Sequence, residues 1–256
     1  MQLAYRKYGV GQPLLILHGL FGQSDNWNSL AKRFGENGFE TYSIDQRNHG
    51  LSPHSDVFNY SVMADDLKEF IDEHKLVDPI LLGHSMGGKT AMYFAQKHKN
   101  VLSKLIVADM APVKYPPHHA EVLKALHAVD FSKMNTRKEA EVILNEFISD
   151  FGTKQFLLKN IYWEDTANNK MNWRFDLASI TKNYDEILAV IPDESCDIES
   201  LFIRGEKSRY IKDEEISEIK NRFPNSILET IAGAGHWVHA EKPNEFYGCV
   251  MKFIKD

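Results

Sequence analysis

Two cysteines, Cys196 and Cys249, in 256 residues are too few for a disulfide framework, so a reduced, cytoplasmic chain is the expectation. Long hydrophobic runs are missing too. The N-terminus puts Arg6 and Lys7 ahead of a four-residue apolar run, too short for a signal-peptide core and far too short to span a bilayer. A basic excess is absent: 30 Lys and Arg face 36 Asp and Glu, the net charge is −6, and no block of like charges stands out, which argues against nucleic acid as a partner. Metal-ligand spacing is also lacking. His118-His119 is a lone adjacent pair, and no H-x-x-x-H carries an acidic partner, so no metal is expected. No internal repeat or low-complexity segment occurs. A small-molecule substrate is what this composition favours, while the oligomeric state is not readable from it.

What the chain does contain is 43% hydrophobic residues, arranged as short runs rich in Val, Ile and Leu that alternate with segments of helical period. This is the pattern of an α/β fold with a parallel sheet covered on both faces. The runs are "PLLILHG" (13–19), "ETYSID" (40–45), "PILLGHS" (79–85), "KLIVADM" (104–110), "SLFIRGE" (200–206) and "SILETIAGAGH" (226–236). Between them, "SVMADDLKEFIDEHK" (61–75) carries an apolar stripe of Val62, Leu67, Phe70 and Ile71, with Ser61 as the expected N-cap. Every run but the last ends in a polar or glycine-rich turn, and in an open parallel sheet those ends share one edge, where ligands bind. From 113 to 192 the alternation stops and only helical patterns are read, bracketed by "YPP" (115–117) and "IPDES" (191–195). The expected organisation is a core domain, 1–112 and 193–256, with a helical cap, 113–192, inserted at the active edge.

"GHSMGGK" (83–89) places Ser85 between two glycines, a spacing that composition alone produces in roughly one chain in ten of this length. Context raises its weight, because an apolar run precedes it and a helical segment, "MGGKTAMYFAQKHK", follows, as a nucleophile elbow requires. A serine hydroxyl needs a base, and His236 in "GAGHWVHAEKP" lies late in the chain, after a strand-like run, where the Ser–acid–His order puts it. His18, His49 and His84 border the same edge and read as hydrogen-bonded loop residues, and His239 as a structural neighbour. The acid is open between Asp109, in "VADMAP", and Glu206; Ser208 stands where an Asp would otherwise be expected. The backbone N–H groups of Leu20, in "HGLFG", and of Met86 are the expected oxyanion donors. His18, Phe21, His84, Trp163, Trp173 and Trp237 are candidate pocket residues, with Tyr162 and Phe175 beside them. Arg174 and nearby lysines read as a solvated face.

The blocks "ILHGLFGQSDNWNSLAKRF", "SIDQRNHGLSPHS", "LLGHSMGGKTAM", "LIVADMAPV", "NWRFDL", "FIRGEKSRYI" and "IAGAGHWVHAEKP" together resemble the α/β-hydrolase fold, and in particular the small YbfF-type esterases and their mitochondrial eukaryotic relatives. Asn48 and His49 replace the more usual residues of D-x-R-G-x-G-x-S, as in this subgroup. The resemblance implies an eight-stranded, mostly parallel sheet with the helical cap after the sixth strand, and no cofactor. It implies a serine esterase acting on short-to-medium acyl esters through a covalent acyl-enzyme, with acyl-CoA thioesters as a second implied class. It also favours Asp109 as the acid, because the "VAD-x-[AS]-P" block travels with an acid-free "RG-x-x-S-x-Y" block. A C–C bond hydrolase, a cofactor-free perhydrolase or a slow-turnover receptor would keep the same constellation. Dehalogenases and epoxide hydrolases place Asp at the nucleophile position, and Ser85 argues against both.

Overall fold

The computed structural model describes residues 1–165, 167 and 170–255. The chain opens with β1 (Tyr5–Tyr8) and β2 (Gln12–Leu17), then α1 (Asn28–Gly35), β3 (Phe39–Ile44), α2 (Tyr60–Glu73), β4 (Ile80–His84), α3 (Met86–Lys97) and β5 (Lys104–Ala108). An excursion follows, made of α4 (Ala120–Ala128), α5 (Arg137–Phe147), α6 (Phe151–Leu158), β6 (Ile161–Asp165), β7 (Lys170–Trp173), α7 (Leu177–Lys182) and α8 (Tyr184–Leu188). The chain then returns through β8 (Ser200–Gly205), α9 (Ile216–Arg222), β9 (Ser226–Ile231), α10 (Val238–Glu241) and α11 (Pro243–Lys255).

The main sheet runs β1-β3-β2-β4-β5-β8-β9, parallel throughout except for β1 against β3. Alternation along each strand explains why both faces are covered. In β2, Leu15 and Leu17 join the core beneath α2 and α3, while Leu14 and Ile16 join the core beneath α1 and α11. With both faces apolar, the strands read as continuous hydrophobic runs, which is why they are visible in the sequence.

Several expectations are corrected. Among the described residues the main sheet comprises seven strands where eight are expected, and the excursion leaves after the fifth of them. The residues ahead of β1 turn aside: Ala4 accepts from the Asp45 N–H (2.9 Å) and donates to Ser52 Oγ (2.8 Å) instead of pairing as another strand. The excursion is not purely helical, since β6 and β7 form an antiparallel hairpin. Met171 and Trp173 are buried and alternate with the exposed Lys170 and Asn172, a period of two within a stretch otherwise dominated by helices. Late in the excursion the helical pattern forms two short helices, α7 and α8, interrupted at Asn183, whose side chain donates to Asp56 O (3.0 Å). The N-cap of α2 is Asn59, extended at φ −154 and accepting from Val62 N (3.1 Å), rather than Ser61.

The order β3-β2-β4 is a topological switch point: the chain leaves β2 toward one side and returns as β4 on the other. Leu17 pairs with Gly83, so the turn after β2 and the turn after β4 must emerge side by side. A third apolar cluster joins Leu20, Phe21 and Met86 at this edge to Leu126, Leu144 and Phe175 of the excursion. No helix among the described residues is long and apolar enough to cross a membrane.

Candidate active site

Ser85 has φ 53 and ψ −119, a conformation that costs a non-glycine residue on the order of 1–3 kcal/mol. The flanking glycines make it attainable. A Cβ on Gly83 would sit 2.1 Å from Gly87 O, and one on Gly87 would sit 2.5 Å from Leu17 O, so no side chain fits at either position. The G-x-S-x-G spacing is thus a packing requirement of a strand that turns straight into a helix. Because α3 begins at Met86, the first N–H groups of the helix lack carbonyl partners four residues back and are directed to the same edge as Ser85.

Around this elbow the structure brings Ser85, His236 and Asp109 into one line. His236 Nε2 lies 3.0 Å from Ser85 Oγ, and His236 Nδ1 lies 2.7 Å from Asp109 Oδ2. Asp109 stands at the end of β5 with φ 52 and is fully buried. Burial pushes its carboxyl up to about 6, against the hydrogen bonds from Ser208 Oγ and Gly205 N–H that favour the charged form. Desolvation holds the His236 imidazole below the ordinary histidine range, which keeps it neutral and able to accept a proton at Nε2 near pH 7. Glu206 is elsewhere: its Oε2 accepts from Gly233 N–H (2.8 Å) on the solvent side of the loop.

The remaining histidines divide as hydrogen bonding directs. His18 donates Nδ1–H to Gly19 O (2.8 Å) and accepts from Gln46 N–H at Nε2 (3.0 Å). His49 donates Nδ1–H to Arg47 O (2.9 Å) and accepts from Phe21 N–H (3.2 Å), which holds Phe21 at φ 59. Burial lowers His18 to about 4 and His49 to about 3, so both stay neutral. His84 donates Nε2–H to His236 O (2.9 Å) and so anchors the loop that carries the base. His239 stacks on Trp27 at 4.1 Å, and both rings border the space over Ser85. The "DQRNHGLS" block braces the chain from 18 to 24: Gln46 Nε2 donates to His18 O (2.7 Å), Asp45 accepts from Ser24 N (2.5 Å) and Leu51 N (2.9 Å), and Arg47 forks onto Asp66 (2.5 and 2.8 Å).

A cavity of about 480 Å³ opens over Ser85. Of the expected pocket residues, His18, Phe21, His84 and Trp237 line it, as does Leu20. Trp163 and Trp173 are not among its lining. Trp163 lies on the outer side of the hairpin, 40% exposed, and Trp173 is buried against Phe175 (5.3 Å, 11°) and Phe131. Trp173 thus packs within the excursion, while Trp163 faces outward. Arg174 lies over the Tyr162 ring at 4.7 Å. Sequence reasoning missed His119, Phe156 and Trp27 as lining residues, because nothing local distinguishes them from other loop and helix aromatics. It also missed Tyr210, whose ring stacks on His236 (3.7 Å, 16°) while its hydroxyl bonds His118 Nε2 (2.5 Å). A larger cleft, about 1100 Å³, lies between β9 and α11, with no histidine among its described lining residues. Among the described residues no cluster of three or more His, Cys, Asp or Glu could hold a metal.

A family model described as alpha/beta hydrolase fold matches residues 12–243. The chain is similar to esterase YbfF of Escherichia coli, with 35% identity over 245 residues that cover 95% of this chain and 93% of that protein. It is similar to sn-1-specific diacylglycerol lipase ABHD11 of Mus musculus, with 36% identity over 249 residues that cover 94% of this chain and 80% of the lipase. The solved structure of a marine microorganism esterase matches with a TM-score of 0.95 at 44% identity, covering 98% of this chain and 99% of that one.

Proposed function

The chain belongs to the α/β-hydrolase fold family and is an ester hydrolase, and from that premise we propose that it cleaves short-to-medium acyl esters through a covalent acyl-enzyme on Ser85. The observation that carries this reading is the single imidazole, His236, bonded at one nitrogen to Ser85 and at the other to Asp109. Ser85 Oγ attacks the carbonyl carbon as His236 Nε2 takes its proton. Asp109 accepts from Nδ1–H, fixes the tautomer and stabilises the imidazolium. The N–H groups of Leu20 and Met86 take the oxyanion of the tetrahedral intermediate. His236 then gives the proton to the departing alcohol, and water, deprotonated by the same imidazole, releases the acid.

Residues 113–192 serve in this reading as a cap. Support comes from His119, Val122 and Phe156, which the excursion contributes to the cavity wall. The cavity size suits a short-to-medium chain. Acyl-CoA thioesters need the same chemistry, but Lys159 is the one Lys or Arg among the described lining residues. Esters without a phosphorylated leaving group are therefore the preferred class.

Hydrolysis of p-nitrophenyl esters from acetate to octanoate by the wild type and Ser85→Ala tests the reading. The expected outcome is a fall of at least about 10⁴-fold in kcat for the variant. Near-equal rates would remove Ser85 as nucleophile, and a flat acyl-length profile would remove the assignment of the cavity to the acyl chain.

A further inference from the structure

We propose that Asn160 of the excursion is a positioning residue for the oxyanion loop, its side-chain amide holding the Phe21 carbonyl so that Leu20 N–H keeps its direction; this rests on the serine esterase reading above. Residues 19–22 form a turn in which Gly22 N–H closes onto Gly19 O (2.9 Å), and the same oxygen accepts His18 Nδ1–H (2.8 Å). The Gly19–Leu20 peptide is trans, so fixing its oxygen inside the turn aims Leu20 N–H the opposite way. Leu20 lines the cavity together with Ser85. The turn depends on Phe21, whose φ of 59 is one that glycine or asparagine takes readily at the third position of a turn and phenylalanine does not. Strain of this kind persists only where the surroundings impose it, and both polar groups of the Phe21 backbone are clamped. Its N–H is held from the core by His49 Nε2 (3.2 Å), and its carbonyl from the excursion by Asn160 Nδ2–H (2.9 Å).

Asn160 is itself held rigidly enough to act as a clamp. It is buried at the end of α6, where its N–H donates to Leu157 O (2.9 Å) and its carbonyl accepts Arg174 N–H (2.8 Å) from just beyond β7. Its Nδ2 also donates to Phe156 O (3.2 Å), so both groups that face the amide nitrogen are carbonyls, and only a donor fits between them. Oδ1 is buried with no hydrogen-bond partner among the described residues. Leaving that acceptor unpaired is costly, so the side chain is kept there for its two donors. Lys159, one residue earlier, accepts from Gln23 Nε2 (3.4 Å) and ties the same two stretches together a second time. Without the Asn160 tie, Phe21 can relax toward negative φ, which opens the turn and swings Leu20 N–H off line. The loss falls on the tetrahedral intermediate, whose oxyanion uses that donor, and not on the bound ester.

The test compares wild type with Asn160→Ala, and with Asn160→Leu, which removes the donor but keeps the volume should the space left by alanine prevent folding. Each is assayed on p-nitrophenyl butyrate and against an alkyl trifluoromethyl ketone, whose adduct with Ser85 is a tetrahedral oxyanion. The expected outcome is a fall of about 10–100-fold in kcat with KM within about twofold, and a rise in Ki for the ketone by the same factor. A merely structural asparagine would lower Tm and spare kcat and Ki in the folded fraction, as Leu144→Ala in the apolar part of the excursion should do. Unchanged kcat and Ki in a folded Asn160 variant overturn the proposal, as does a rise in KM with kcat unchanged. If Ser85→Ala proves active and the ketone leaves wild type uninhibited, the underlying reading fails first; a ketone that inhibits wild type and the Asn160 variants equally sinks the Asn160 proposal alone.

Discussion

The loops at the C-terminal edge of the sheet and the excursion that packs over them are built by different rules. At the edge, identity is dictated atom by atom. Gly83 and Gly87 are glycines because a Cβ would strike backbone, and Asp45 is an acid because it caps two N–H groups. Phe21, Asn48, Ser85 and Asp109 all stand at positive φ there. In the excursion, by contrast, residues such as Leu126, Leu144 and Trp173 have to be apolar and of the right volume, and little more. Substitutions at the edge are thus expected to change rate at small cost to stability, and substitutions of these apolar residues to do the reverse.

Asp109→Asn puts the sharpest strain on that contrast. The amide keeps the shape of the carboxylate but holds His236 in the wrong tautomer, so kcat should fall about 10³–10⁴-fold while circular dichroism and Tm stay close to wild type. Glu206→Gln, two residues before Ser208 in the sequence, should leave kcat within about twofold, since that carboxylate bonds Gly233 rather than the imidazole. Reversed magnitudes would transfer the acid role to Glu206 and leave the Ser85–His236 pair standing.

Trp173→Ala tests the other side. The ring is buried between Phe175 and Phe131, and its removal should cost about 3–5 kcal/mol, read from urea midpoints, with kcat on a short ester largely kept in the folded fraction. Trp163→Ala, on the exposed side of the same hairpin, should cost about 0.5 kcal/mol or less. A large kcat loss with unchanged stability in Trp173→Ala would return this residue to the acyl pocket.

The same difference decides what could be read in advance. The strands and the elbow were legible because buried parallel strands are unbroken apolar runs and because backbone clashes leave glycine no substitute. Asp109 was legible only with the help of the resemblance, since its approach to His236 depends on β4, β5 and β8 lying side by side, which spacing does not encode. The β6–β7 hairpin was missed because its period of two spans too few residues to stand out among helical patterns. Trp163 and Trp173 were grouped with the pocket because an aromatic that is exposed, one that packs and one that lines a cavity look alike until neighbours are known.

Lys89 stands where the two regions meet, and its behaviour is the finest test of how they are joined. It lies in the first turn of α3, one helical step from Ser85, with no exposed surface. Its ammonium donates to Leu188 O (3.2 Å) and Ala189 O (2.5 Å), where the excursion returns, and lies near the rings of Tyr60 (5.7 Å) and Tyr115 (4.8 Å). Burial pushes it down to about 7, and burial likewise raises the Tyr60 and Tyr115 phenols, which therefore stay neutral in the window concerned. An unfolded lysine titrates near 10.4, so between about pH 7 and 10 the unfolded chain binds one more proton than the folded one, and stability rises with pH. Every other group is shared with Lys89→Met, so the difference between the two stability curves isolates this one. Wild type should gain on the variant by roughly 1.4 kcal/mol per pH unit across the window, and below pH 7 the variant should be the more stable, having lost a charge that is costly to bury. Parallel curves in urea unfolding from pH 6 to 9.5 would mean that the ammonium is not desolvated at the junction, and that the excursion is held there by apolar packing alone.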